Sequence, residues 1–105
     1  MIVEFQEDYL RELYEKGTAT DKKHRYQPEV IKAYAKCIFR MQESSDLNDL
    51  KRFQALNLEM LKGDKEGRYS VRVNVKYRVE FSVIYIDTEP VTTICNIMDL
   101  SNHYQ

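Results

Sequence analysis

Long apolar runs are absent from this 105-residue chain, and with them the stretch of about 20 residues that a bilayer-spanning helix needs. Two cysteines, Cys37 and Cys95, are too few for a disulfide framework. Both sit in apolar stretches, which predicts reduced thiols in the core. No Gly-x-Gly-x-x-Gly or P-loop segment offers a phosphate cradle, no Cys/His spacing suits zinc, and no serine-hydrolase elbow occurs. Internal repeats and low-complexity tracts are missing too. The opening Met-Ile-Val-Glu-Phe-Gln-Glu-Asp has no basic segment ahead of an apolar one, so no secretory signal is read and a cytoplasmic location without membrane contact is expected.

What is present reads as globular. With 43% hydrophobic and 31% charged residues the chain is neither disordered nor membranous, and its length suits a single domain over residues 1–105 with one modest core. The net charge of −1 hides a sorting along the chain. Residues 1–19 stand at −3, residues 20–78 at +6, and residues 79–105 at −4, with no lysine or arginine after Arg78. A basic middle between acidic ends suggests a local anionic partner, with solvated helix faces as the plainer alternative.

Ile2–Phe5 is a short apolar run expected at a sheet edge. Glu7–Lys16 places Leu10, Leu13 and Tyr14 at helical spacing, and Gly17 can stop that helix. The polar stretch 18–27 reads as a basic loop in which His24 is solvated. Pro28 suits the first position of a helix to Glu43, with Val30, Ile31, Tyr34, Cys37, Ile38 and Met41 as its apolar stripe and Lys32, Lys36 and Arg40 as a basic row. Ser44-Ser45-Asp46 offers an N-cap for a short helix with Leu47, Leu50 and Phe53 inward. Leu56–Leu61 reads as a strand, Asp87–Pro90 as a turn and Val91–Met98 as the last strand, followed by a tail. These elements predict an α+β domain, with the helices packed on one face of a mainly antiparallel sheet.

The centre of the chain is a hairpin. Tyr69, Val71 and Val73 alternate with Arg68, Ser70 and Arg72; Val79, Phe81 and Val83 alternate with Arg78, Glu80 and Ser82. Such alternation marks half-buried strands. Setting Val73 against Val79 and Val71 against Phe81 leaves residues 75–77 as the loop, with Arg72 opposite Glu80 and Asn74 opposite Arg78. Arg72 and Arg78 then share an open face where two guanidiniums can clamp a phosphodiester. Lys62, Asp99, His103 and Tyr104 complete the set of cationic and proton-transferring groups. From chemistry alone a structural reading is the better supported: Arg72 pairs with Glu80, Arg78 covers the sheet, and the tail is frayed.

Leu-Lys-Gly-Asp-x-x-Gly-x-Tyr-Ser-Val-Arg-Val-Asn (61–74) followed by Tyr-Arg-Val-x-Phe (77–81) resembles the HigB branch of the RelE/ParE toxin superfamily. The likeness extends to the Leu-Tyr-Glu-Lys-Gly segment near the start, the two helices and the Asp-bearing final strand. It implies a small RelE-like fold and a toxin neutralised by a helix-turn-helix, HigA-like antitoxin. The activity implied is cleavage of mRNA in the ribosomal A site, without metal or other cofactor, leaving a 2′,3′-cyclic phosphate and a 5′-hydroxyl. A ParE-like toxin that binds DNA gyrase without catalysis is the alternative, as is a degenerate toxin that only binds its antitoxin.

Carried over residue by residue, the resemblance makes Arg78 a phosphate-contacting catalytic residue and Asn74 a substrate contact. Arg72 falls on a basic position used by RelE-like relatives, and Asp99 matches the C-terminal aspartate. Lys62 joins the substrate-binding set, and Tyr69, Tyr77 and Tyr104 offer rings for base stacking. Two positions depart from the pattern. Glu59 stands where HigB proteins often have histidine, and an Asp-Tyr-His ending becomes Asp99-Leu100-Ser101, with His103 and Tyr104 following. His103 and Tyr104 are expected to replace that pair in proton transfer.

Overall fold

The computed structural model describes residues 1–102. Strand β1 (Ile2–Phe5) leads into helix α1 (Asp8–Lys16), a loop, helix α2 (Pro28–Glu43) and the short helix α3 (Leu47–Lys51). A 3-10 turn at Gln54–Leu56 and another at Gly63–Lys65 flank the two-residue strand β2 (Glu59–Met60). Strands β3 (Tyr69–Arg72), β4 (Arg78–Ile86) and β5 (Thr92–Ser101) follow. The sheet order is β1-β5-β4-β3-β2. β1 runs parallel to β5, and the other pairings are antiparallel. This is the α+β architecture expected from the sequence.

The helices form where local chemistry sets their ends. Gly17 terminates α1 at a φ of 74°, a conformation that glycine adopts without a Cβ clash. Pro28 opens α2 in its first turn, where a missing N–H costs nothing. Asp46 caps α3 by accepting from the backbone N–H of Asp49 at 2.9 Å. Leu10 and Leu13 of α1 and Tyr34, Ile38 and Met41 of α2 bury against Val71, Val79, Phe81, Cys95 and Ile97 of the sheet. The Tyr34 hydroxyl, inside this core, donates to the Leu10 carbonyl at 2.7 Å. Cys37 and Cys95 are free and buried, and burial raises both thiols to about 11.

Four local expectations are overturned. The hairpin register is shifted by two residues: Val71 faces Val79, Ser70 faces Glu80 and Arg72 faces Arg78. A two-residue shift keeps every side chain on its own face, so the alternation is satisfied equally well by both registers. Asn74 selects the longer loop, because its side-chain oxygen accepts from the N–H groups of Lys76 and Tyr77 at 2.9 and 2.8 Å. The strand expected at Leu56–Leu61 shrinks to Glu59–Met60, because Asn57 takes a left-handed φ of 45° that no strand admits. β5 continues to Ser101 rather than ending at Met98: a bulge between the Phe81–Ile97 and Glu80–Asp99 pairs inserts one residue and puts the alternation out of phase. Phe53 is partly exposed, with the Arg40 guanidinium 4.7 Å above its ring, rather than inward.

Two outcomes follow from this core. Phe81→Ala should destabilise the protein by about 3–5 kcal/mol, read from urea unfolding. Because the raised thiols stay protonated at pH 7.5, iodoacetamide should label Cys37 and Cys95 in the folded protein far more slowly than in urea, read by mass spectrometry.

Candidate functional site

The face of β3 and β4 turned away from the helices is where sequence placed an open pair of arginines. The two do share that face, as direct cross-strand partners, but the face is not open at Arg78. Arg78 is 5% exposed and Glu80 and Ser70 are fully buried. The segment from Asn57 to Arg68 supplies groups that cover them. Arg78 Nε donates to Ser70 Oγ at 2.9 Å, and its Nη2 donates to the Asn57 carbonyl at 2.6 Å and the Ser70 carbonyl at 3.3 Å. The left-handed turn at Asn57 precedes β2, and asparagine is the non-glycine residue that tolerates such a turn best.

Glu80 is the other anchor of this layer. Its carboxylate takes Lys65 Nζ at 2.8 Å and Arg68 Nη1 at 3.2 Å. Both cations come from the glycine-flanked stretch between β2 and β3, where Gly63 and Gly67 adopt φ of 73° and 92°. A buried carboxylate needs paired cations to offset its lost hydration, so Glu80 ties that stretch down onto the sheet. Arg72 stands opposite Arg78 but is exposed. Like charges directly opposite are unfavourable; Glu59, its Oε2 3.9 Å from Arg78 Nη2, lies close enough to relieve this. The position of the expected histidine is therefore beside Arg78, occupied by a carboxylate that also accepts from Asn57 Nδ2 at 3.1 Å.

The remaining candidates scatter around this layer. Ser101, at the end of β5, stands across from Arg78, and Asp99 across from Glu80. Asp99 is half-buried, with the Tyr9 hydroxyl 3.5 Å from its Oδ1. Burial first, and the Asp99 charge second, push the Tyr26 phenol up to about 12 and raise that of Tyr9 as well, so both keep their protons at neutral pH. The Asn74 side-chain oxygen is used within its own turn. Tyr77 is half-buried with its ring edge-on to Tyr26 at 5.6 Å. Lys62 is exposed at the start of the glycine-flanked stretch. His103 and Tyr104 lie outside the described residues.

Sequence reasoning missed several contributors. Lys65 reads as a loop residue, Arg68 and Ser70 as part of the strand alternation and Asn57 as part of the strand Leu56–Leu61, yet they hold the two buried charges. His24 is not merely solvated: its ring stacks on Tyr9 with centroids 3.6 Å apart, and its Nδ1 lies 2.9 Å from Asp21 Oδ2. The Asp-x-x-His spacing was the available signal. Arg72 also joins two cations of the α2 row, Lys36 and Arg40, in lining a groove of about 270 Å³ between α2 and β3. This concentrates positive charge at one accessible place.

A sequence model of the HigB-like toxin, a RelE-like toxin of the type II toxin-antitoxin system HigB, matches residues 3–97. No curated protein matches the chain. Among solved structures, the chain is similar to a YoeB/ParE toxin from Agrobacterium tumefaciens, with 16% identity and a TM-score of 0.53 over 99% of this chain and 100% of that one. At that identity the likeness speaks for the fold.

The two arginines should separate in a stability measurement. Arg78→Ala removes charge-assisted bonds from a buried site and should cost about 1.5–3 kcal/mol. Arg72→Ala, at an exposed position, should stay within about 0.5 kcal/mol of wild type. Urea unfolding of both variants checks the contrast.

Proposed function

This chain belongs to the HigB-like family of RelE-like type II toxins, and on that premise we propose that it is a ribosome-dependent mRNA endoribonuclease that arrests translation. The observation that carries the reading is the Arg72–Arg78 pair, cross-strand partners of which Arg72 is exposed and Arg78 is buried and held by hydrogen bonds. A fixed cation beside a phosphate stabilises charge that develops in the transition state, because it needs no reorganisation when that charge appears. Arg72 and Lys62 supply the exposed contacts to the backbone of the message, and the groove lined by Lys36 and Arg40 extends the same potential. Asn74 and Tyr77 border the loop beside this pair, where a base can meet the tyrosine ring.

The chemistry needs only the RNA and proton-transfer groups. The 2′-hydroxyl gives up its proton and its oxygen attacks the adjacent phosphorus. The bond to the 5′-oxygen breaks, and that oxygen takes up a proton. The products are a 2′,3′-cyclic phosphate and a 5′-hydroxyl, so no water or cofactor enters the balance. Arg78, buried opposite Arg72, would stabilise the phosphorane charge through its positive potential rather than by direct contact, while Asp99, His103 and Tyr104 serve the two proton transfers. The antitoxin would be a HigA-like helix-turn-helix protein.

Inducing the protein in growing cells and mapping mRNA by primer extension tests this. New 5′ ends should appear within translated messages, and Arg72→Ala should weaken them roughly tenfold or more, the scale of one lost charge-assisted contact. A DNA-damage response with intact mRNA would point instead to gyrase. Growth arrest with neither would also contradict the proposal. Association with purified ribosomes should fall steeply as salt rises, read by co-sedimentation.

A further inference from the structure

Strand β4 outruns its neighbour. β3 pairs only with Arg78–Phe81, whereas β5 accompanies β4 as far as Ile86. Among the described residues, no strand pairs the other edge of Ser82–Ile86. In an antiparallel ladder every second residue turns its N–H and C=O away from its partner strand, so this edge presents backbone groups in a row. Its last three side chains are apolar and exposed: Ile84 is 56%, Tyr85 58% and Ile86 43% exposed. Ile84 stands in register with Ile94, and Ile94 with Ile2, so an apolar band continues from the edge across the outer face of the sheet.

Exposed edges usually carry lysine, proline or a bulge that discourages pairing. Ser82–Ile86 carries none of these. The turn that follows holds Asp87 and Glu89, and no lysine or arginine occurs after Arg78. An acidic, apolar edge repels nucleic acid and suits a strand of protein bearing cations. A second copy of this chain offers no lysine or arginine along the same edge to meet those acids.

We infer that the free edge of β4, Ser82–Ile86, receives an extended apolar segment of the antitoxin, flanked by lysine or arginine that meets Asp87 and Glu89. This rests on family membership, which implies an antitoxin, and not on the cleavage chemistry. The incoming strand would pair its backbone with the edge and lay alternate side chains on Ile84 and Tyr85. The site lies at the far end of β4 from Arg78, so docking there leaves the exposed Arg72 uncovered. Neutralisation would then act by holding the toxin away from the ribosome rather than by filling the groove.

The test uses the full-length toxin and the purified small protein encoded by the neighbouring open reading frame. Complex formation should slow hydrogen exchange at the amides of Ser82–Ile86. Ile84→Lys and Ile84→Lys with Ile86→Lys should raise Kd roughly tenfold or more, as loss of a central interface contact does, while Tm stays near wild type. Val75→Lys, in the loop at the other end of β4 and 89% exposed in the native protein, should leave Kd unchanged. In cells the Ile84→Lys toxin should still arrest growth and should escape neutralisation.

Unchanged affinity in the lysine variants, or exchange protection confined to other strands, would overturn the inference. So would a toxin dimer that Ile84→Lys dissolves, since the occupant would then be a second copy. If the wild-type toxin does not bind the neighbouring protein at all, the expected partner is wrong and this inference falls with it. Should the lysine variants lose Tm, the exchange pattern of the wild-type complex decides alone.

Discussion

A carboxylate with no exposed surface sits in the middle of the sheet, and the arrangement of the cationic face depends on how it is satisfied. Glu80 draws Lys65 and Arg68 inward. With them comes the stretch between β2 and β3, drawn onto the face that Glu80 shares with Ser70 and Arg78. Arg78 is then bound from two directions, by Ser70 of β3 and by the Asn57 carbonyl ahead of β2. Desolvating two opposite charges is costly, and a well-packed apolar pair of the same volume would often be as stable. What the bonds to Ser70 and Asn57 do is hold the Arg78 guanidinium in one orientation.

The same layer explains why the molecule divides its charges by place. Arg72, exposed on the partner strand, and the groove lined by Lys36 and Arg40 form the accessible cationic region. The far end of β4, beyond the reach of β3, carries apolar side chains and is followed by acids alone. Nucleic acid and protein would therefore meet different ends of one strand. The fixed Arg78 lies at the first end and the unpaired edge at the second.

Much of this was legible in the residues. β1 and α2 begin and end where the apolar spacing and Pro28 put them, and α1 starts one residue inside the expected span. All three rest on local signals that the sequence states directly. What failed depended on longer-range choices. The register needed Asn74 to close a five-residue loop, and alternation cannot distinguish shifts of two. β5 was cut short because its bulge breaks the period, leaving Leu100 buried three positions after Ile97 instead of two. The depth of Arg78 was hidden because the residues covering it come from a loop whose path no periodicity encodes. His24 on Tyr9 was hidden for the same reason.

Cleavage by attack of the 2′-hydroxyl leaves its signature in the ends of the cut message. Purified protein added to ribosomes translating a defined mRNA should yield an upstream fragment with a 2′,3′-cyclic phosphate and a downstream fragment with a 5′-hydroxyl, identified by mass spectrometry of the recovered RNA. Fragments ending in a 3′-hydroxyl and a 5′-phosphate, or a message that stays whole while translation stops, would contradict it.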